Sequence, residues 1–273
     1  MIIAIDTGGT KTLIGLFSSA GELLRTVEFP TPKDTAEYLQ AVEKSLRTEF
    51  AREIANGEIQ AISIAAPGII QNGTVLWAKN LGWENFDLKL ELARIFPQIP
   101  ILLENDANLA ALYEAQNFRA RNVLYLTFST GVGGGFTTNS ELNFGLLQSE
   151  VGQIPVNFNG EITTWEEVAS ARAIVELYGK FVSEISADET EKWQAIAERI
   201  SLGILTVIPI FQPDFIVFGG SLGAQFTNYQ AKLEAIIVQN LPAHIKKPQL
   251  VLAKQPKNAV IYGCFELARR SLE

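Results

Sequence analysis

The chain has 273 residues, 47% of them hydrophobic, and a formal net charge of -8. That length and apolar content can fill two lobes of ordinary domain size, while a net negative chain lacks the clustered Lys and Arg that general nucleic-acid binding requires. A single cysteine, Cys264, and a single histidine, His244, exclude an internal disulfide and a clustered Cys/His zinc site, and leave little for a nucleophilic triad.

Residues 2–5 and 13–17 read as strands joined by the glycine turn of IIAIDTGGTKT, and Ser18 to Gly21 turn the chain into a third strand near 22–29. No basic segment or cleavage pattern precedes the first strand, so a cytoplasmic location is expected. Pro30, Pro32 and Asp34 announce one helix whose Tyr38, Val42, Leu46, Phe50 and Ile54 recur every four residues, ending at Asn56 and Gly57. AISIAAPG from Ala61 reads as a buried strand, Gln71, Asn72 and Gly73 mark a reversal, and another strand covers about 100–104. ILLENDANLAAL then sets Asp106 between that strand and a helix starting near Asn108.

The second half restarts the pattern. Val123 to Ser129 is a strand, the turn of STGVGGG leads into strand-like GGFTT, and Asn139 and Ser140 reverse the chain toward LNFG. An apolar helix near 193–210, a strand at FIVFGG and a closing helix from about Ala259 to Ser271 follow; His244 reads as a loop residue and Cys264 as a packed helix side chain. The apolar stretch from Ile200 to Phe211 is broken by Ser201, Thr206 and Pro209, falls short of the roughly 18 residues of a membrane span, and reads as a buried helix. The expected class is α/β, with mixed sheets covered on both faces, in lobes of 1–109 plus 258–273 and 110–257.

Glycine turns after strands bring backbone N–H groups close to a ligand, so both are candidate phosphate clamps. Neither is a Walker loop or a dinucleotide fingerprint: Lys11 follows Thr10 rather than Gly, and strand-like LIGLF and GGFTT stand where a helix should open. Two ordinary hairpin turns remain the alternative for either loop taken alone. Asp6, beside the first turn, can hold Mg²⁺ through water, with Thr7, Thr10 and the glycine amides on phosphate oxygens and Lys11 as a point charge. Asp106 stands at the carboxyl end of a strand, where α/β sites gather, and serves equally as a helix N-cap. Asn80 beside Trp83 in NLGWENF, and Glu150 with Gln153 in QSEVGQ, suit sugar hydroxyls, which both donate and accept hydrogen bonds.

The ordered set DTGGTK, APG, NLGW, ENDAN, STGVGGG, SEVGQ and IVFGGSLG resembles the ROK family of bacterial sugar kinases and repressors along nearly the whole chain. The resemblance implies a two-lobed hexokinase/actin-like (ribonuclease H-like) fold with a central cleft, a homodimer, and transfer of the ATP γ-phosphoryl group to a hexose hydroxyl. It makes Asp106 the catalytic base and puts Asn80, Asn105, Asp106, Glu150 and Gln153 on the sugar. Asp6, Gly8, Gly9, Thr10, Lys11, Thr130, Gly131 and Gly133 take phosphate and Mg²⁺, and Gly219 and Gly220 lie near the adenosine. Glucose is the expected acceptor, with N-acetylmannosamine, N-acetylglucosamine and fructose as alternatives. The family's repressors carry a helix-turn-helix segment before the kinase-like body, which here begins at residue 2, so a kinase is expected, with a non-catalytic sugar-binding or regulatory protein as the alternative.

Two departures stand out. Gln153 occupies the place of a histidine, and NFNGEITTWEEVAS has none of the cysteines of the family's zinc loop. The loop's sugar-reaching glutamate aligns with Glu166, with Glu167 as the alternative. An incomplete tetrahedral site has little value, so metal analysis of the purified protein is expected to find no structural zinc; one stoichiometric zinc per chain would contradict this.

Overall fold

The computed structural model describes residues 1–273, which divide into two compact units, Met1–Tyr113 with Val260–Glu273, and Glu114–Ala259. The first unit opens with β1 (Ile2–Thr7), β2 (Lys11–Phe17) and β3 (Leu23–Pro30), followed by α1 (Thr35–Glu49), α2 (Ala51–Ala55) and β4 (Ala61–Ala66). A small three-stranded sheet of β5 (Ile69–Gln71), β6 (Thr74–Ala78) and β7 (Trp83–Phe86) precedes α3 (Leu88–Ile95), β8 (Ile101–Asn105) and α4 (Asp106–Ala115). The main sheet has the order β3-β2-β1-β4-β8, antiparallel on the β2 and β3 side and parallel through β1, β4 and β8. β1 and β4 are central and buried on both faces, which is why they read as unbroken apolar runs. β3 is an edge strand and carries its charges outward.

Asp34 caps α1 by accepting from the Ala36 and Glu37 amides, and Tyr38, Val42 and Leu46 form the buried face. The single helix expected over this segment is cut at Phe50, whose backbone leaves the helical region (φ -125, ψ 21) while its ring goes fully into the core. Helical periodicity reports which face is buried, not whether the backbone stays continuous. β7 and α3 were not foreshadowed, because β7 is short and includes Asn85 in the left-handed region at φ 50. The Asn72-Gly73 reversal is present, with φ of 53 and 87.

The second unit runs β9 (Asn122–Phe128), β10 (Val132–Thr138), β11 (Glu141–Leu142), β12 (Pro155–Phe158) and β13 (Glu161–Thr164). Then come α5 (Trp165–Ala169), α6 (Ala171–Tyr178), α7 (Thr190–Phe211), β14 (Phe215–Gly219), α8 (Gly220–Gly223), α9 (Phe226–Asn240) and β15 (Gln249–Leu252). Its main sheet, β11-β10-β9-β14-β15, has the same sequence of antiparallel and parallel neighbours as the first, matching the repetition read from the two strand-turn-strand openings. α7 has the length and apolarity of a membrane span, yet it buries Trp193, Ile196, Ile200, Ile204 and Val207 in this unit's core. The closing helix, α10 (Ala259–Leu272), packs in the first unit: a Cβ on Gly263 would lie 2.0 Å from the Leu109 carbonyl, and Phe265 stacks on Phe17. His244 is exposed in a turn and Cys264 is fully buried.

The NFNGEITTWEEVAS stretch is the β12-β13 hairpin and α5, turning at Asn159 and Gly160 with φ of 54 and 88. It is held by Trp165, whose fully buried ring covers Gly203 of α7 so closely that a Cβ there would lie 2.0 Å away. The ring also meets Phe128 edge-on, and its N–H donates to the Arg199 carbonyl. An aromatic anchor thus fastens this segment. Trp165→Ala is expected to cost about 3 to 5 kcal/mol in denaturant unfolding; a loss below about 1 kcal/mol would show that the anchor is dispensable.

Candidate active site

In the first unit the parallel strands bring their carboxyl ends to one edge, with Asp6 in register with Ala65 and Ala65 with Glu104. Asp106 follows directly on β8. Burial raises Asp106 from 3.8 to about 6, and its Oδ1 accepts from the Ala107 amide. Asp6 is raised from 3.8 to about 7, first by burial, then by the negative charge of Asp106, with Lys11 opposing weakly. Each keeps some solvent contact as a residue. The two carboxylates are therefore near neighbours, and the full charge of both is unfavourable without a cation.

The alternative reading of Asp106 as a helix cap falls to its neighbour instead. Asn105 Oδ1 accepts from the Ala107 and Asn108 amides, and its Nδ2 donates to the Gly68 carbonyl, leaving one N–H for any other partner. Glu104 Oε1 accepts from the Asn105 amide and from Asn108 Nδ2, and burial raises this carboxyl too. The helix begins at Asp106 rather than near Asn108.

The first glycine turn is closed by the Gly8 amide donating to the Lys11 carbonyl at 2.9 Å. The amides of Gly9 and Thr10 have no protein acceptor. Lys11 is drawn away into an exposed ion pair with Glu28 at 2.6 Å. Asn80 lies against this turn: a Cβ on Gly9 would stand 3.4 Å from Asn80 Cβ. Trp83 does not reach a sugar as expected of the Asn80–Trp83 pair, since it is buried against Tyr38 and Phe86 and donates its N–H to the Lys33 carbonyl. Lys33 itself, in no motif, donates from Nζ to the carbonyls of Gly9 and Asn80.

In the second unit the turn after β9 is closed by the Ser129 amide on the Gly131 carbonyl, and the amides of Thr130 and Gly131 have no protein acceptor. Glu166 reaches this turn, its Oε2 accepting from the Val132 amide at 3.0 Å, and a Cβ on Gly131 would lie 2.3 Å from that oxygen. Glu167 instead accepts from Thr163 within the hairpin. Arg172 Nε donates to the Thr130 carbonyl. Gly133 is not in the turn but in the β10 ladder opposite Thr127. Gly219 and Gly220 back the same turn: side chains there would strike Tyr125 and Ser129, and Gly220 has φ 77. Glu150 precedes and Gln153 ends a 3-10 turn, both exposed, while Val151 and Gly152 between them are buried and Gly152 packs on the Val132 carbonyl.

Each unit thus holds a turn with two successive unpartnered N–H groups, the pattern of an anion nest, and the first adds two adjacent carboxylates. A set of one or two carboxylates beside a phosphate nest fits Mg²⁺ carried with a polyphosphate, which keeps most of its water, and does not fit an all-protein metal cage. No group of three or more His, Cys, Asp or Glu side chains is arranged as a metal site.

The ROK family model matches residues 2–271, and the chain belongs to the ROK family. It is 31% identical over 230 residues to the glucokinase of Halalkalibacterium halodurans, covering 77% of this chain and 67% of that protein. It is also 26% identical to the xylose repressor of Caldicellulosiruptor bescii, over 97% of this chain and 77% of the repressor. Among solved structures, a ROK family glucokinase from Streptomyces griseus in complex with glucose and AMPPNP superposes with a TM-score of 0.79 at 23% identity, covering 98% of this chain and 99% of that one. These relatives share the α/β hexokinase fold and include both sugar kinases and a repressor.

Asp6 also makes stability depend on pH. Its folded value of about 7 exceeds 3.8, so the folded state retains a proton the unfolded chain has released. The linked stability is complete below about pH 4 and is lost as pH rises through about 7. Asp6→Asn is expected to melt higher than the parent at pH 8 but not at pH 4; an equal difference at both pH values would contradict the raised carboxyl.

Proposed function

We propose that the protein is an ATP-dependent sugar kinase that transfers the γ-phosphoryl group to a hexose hydroxyl, with glucose at O6 as the first choice. The observation that carries this is Asp106, a half-buried carboxylate at the end of β8 with its charge on Asp6 beside the first glycine turn. The amides of Gly9 and Thr10 in the first unit, and of Thr130 and Gly131 in the second, have the geometry to take phosphate oxygens. Gly219 and Gly220 shape the backbone behind the second turn, on the side given to adenosine. Lys11 is available as a point charge once it leaves Glu28.

Phosphoryl transfer through a loose transition state asks mainly for alignment and charge neutralisation. Asp106 Oδ2 accepts from no other residue and is the atom that orients the acceptor hydroxyl and receives its proton. Mg²⁺, carried in on the phosphates and held by Asp6 through water, would neutralise developing negative charge and draw both carboxyls to their ionised forms. Asn80, the remaining N–H of Asn105, Glu150 and Gln153 supply hydrogen bonds to sugar hydroxyls. Glu166 can serve either the sugar or the second turn, to which it is already bonded. Gln153 donates and accepts but cannot become cationic, so N-acetylmannosamine, N-acetylglucosamine and fructose stand as alternative acceptors. The protein works as a cytoplasmic homodimer in this reading.

A sugar-responsive regulator is the second reading, favoured by the similarity to the xylose repressor. The adjacent carboxylates Asp6 and Asp106 favour the kinase, since sugar sensing alone needs no such charged pair. Asp106→Asn separates the two: a general base is worth about 10² to 10⁴ in rate, so turnover should fall at least about a hundredfold while sugar affinity stays within about tenfold. Unchanged turnover in that variant would remove Asp106 from the mechanism.

A further inference from the structure

Lys33 lies in the short strap between β3 and α1, outside every motif of the chain. Its Nζ donates to the Gly9 carbonyl and to the Asn80 carbonyl, each at 2.5 Å. One carbonyl belongs to the first glycine turn and the other to the turn after β6, and the two turns touch where Gly9 meets Asn80 Cβ. The strap is tied down on both sides of the lysine. The Thr31 amide donates to the Thr10 carbonyl at 3.0 Å and the Thr31 and Thr12 hydroxyls meet at 2.9 Å. Trp83 donates to the Lys33 carbonyl at 2.8 Å, and Asp34 caps α1. The Lys33 ammonium forms no ion pair with an acidic side chain.

We propose that Lys33 is a positioning residue that couples nucleotide binding at the first glycine turn to acceptor binding at Asn80, through its bridge between the Gly9 and Asn80 carbonyls. This rests on the kinase reading. An ammonium shared by two carbonyls makes the turns one mechanical unit, so a ligand that orders one turn orders the other. The first ligand bears the conformational cost for both and the second binds more tightly. Removing the ammonium leaves each turn with its own closing contacts, so the individual affinities survive and the coupling does not. Arginine presents donors in a planar fork and can still reach two acceptors, whereas methionine fills similar volume with no donor.

The experiment is calorimetric titration of glucose, with N-acetylmannosamine in parallel, in the absence and presence of saturating AMPPNP and Mg²⁺, for the parent, Lys33→Met and Lys33→Arg. Binding of a non-hydrolysable nucleotide needs no turnover, and equal thermal melts confirm that an exposed lysine was replaced without unfolding. The parent should bind its sugar about tenfold tighter with nucleotide present, within the usual range of coupling between sites. Lys33→Met should keep both binary affinities within about threefold while the coupling falls below about twofold, and Lys33→Arg should retain most of it. A Lys33→Met protein with full coupling, or a parent that binds both ligands without coupling, would overturn the bridge and leave the kinase reading intact. A parent that binds neither ligand would overturn both.

Discussion

Two carboxylates that resist sharing full charge are the constraint on which the candidate site depends. β1, β4 and β8 run parallel in one sheet, so the ends of β1 and β8 deliver Asp6 and Asp106 to the same edge. Burial pushes both carboxyls up, to about 7 and about 6, and the charge of Asp106 adds to the rise at Asp6. A protein gains no stability from such a pair; it is the kind of local cost found where chemistry is done. No ion pair neutralises it: Lys11, which lowers Asp6 only in part, pairs with Glu28, and Asn105 caps α4. The missing positive charge is what a magnesium-bound polyphosphate would bring.

The turn of the second unit has no pair of adjacent carboxylates; Glu166 and Arg172 are bonded to its backbone. This turn is set by glycines that clear space for Glu166, Tyr125 and Ser129. Gly131 therefore has a structural duty independent of any phosphate, since Glu166 occupies the space a side chain would need. The same glutamate stands on α5 next to Trp165, which fastens this segment to α7. In this chain the segment where the family resemblance leads one to expect a metal-stapled loop is fastened by an aromatic ring against a glycine, and the position of Glu166 follows from that anchor.

Strand-turn-strand openings, the buried runs of β1 and β4, the Asp34 cap and the Asn72-Gly73 turn were legible in the residues because each is a local rule: propensity, periodicity or turn chemistry. The break at Phe50 was not, because a helical repeat persists through it while the backbone departs to bury a ring. Trp83 beside Asn80 read as suited to a sugar but lies in the core, since an aromatic beside a polar residue has the same local signature in either place. Lys11 was singled out by its motif and Lys33 by nothing, because the partner each finds comes from another element, Glu28 on β3 for one and the Gly9 and Asn80 carbonyls for the other. Asn105 rather than its neighbour Asp106 caps α4, a choice set by side-chain geometry that no spacing rule specifies.

Membership of the ROK family leaves open whether these carboxylates still act on a sugar, because the family's relatives include a repressor as well as kinases. Phosphorus NMR of the protein with ATP, Mg²⁺ and a panel of about a dozen hexoses and acetamido-hexoses tests this most directly. A sugar phosphate appearing in step with ADP, from one or a few members of the panel and absent without protein, is the expected result. No ADP above the sugar-free background with any member, from protein shown to be folded, would contradict it.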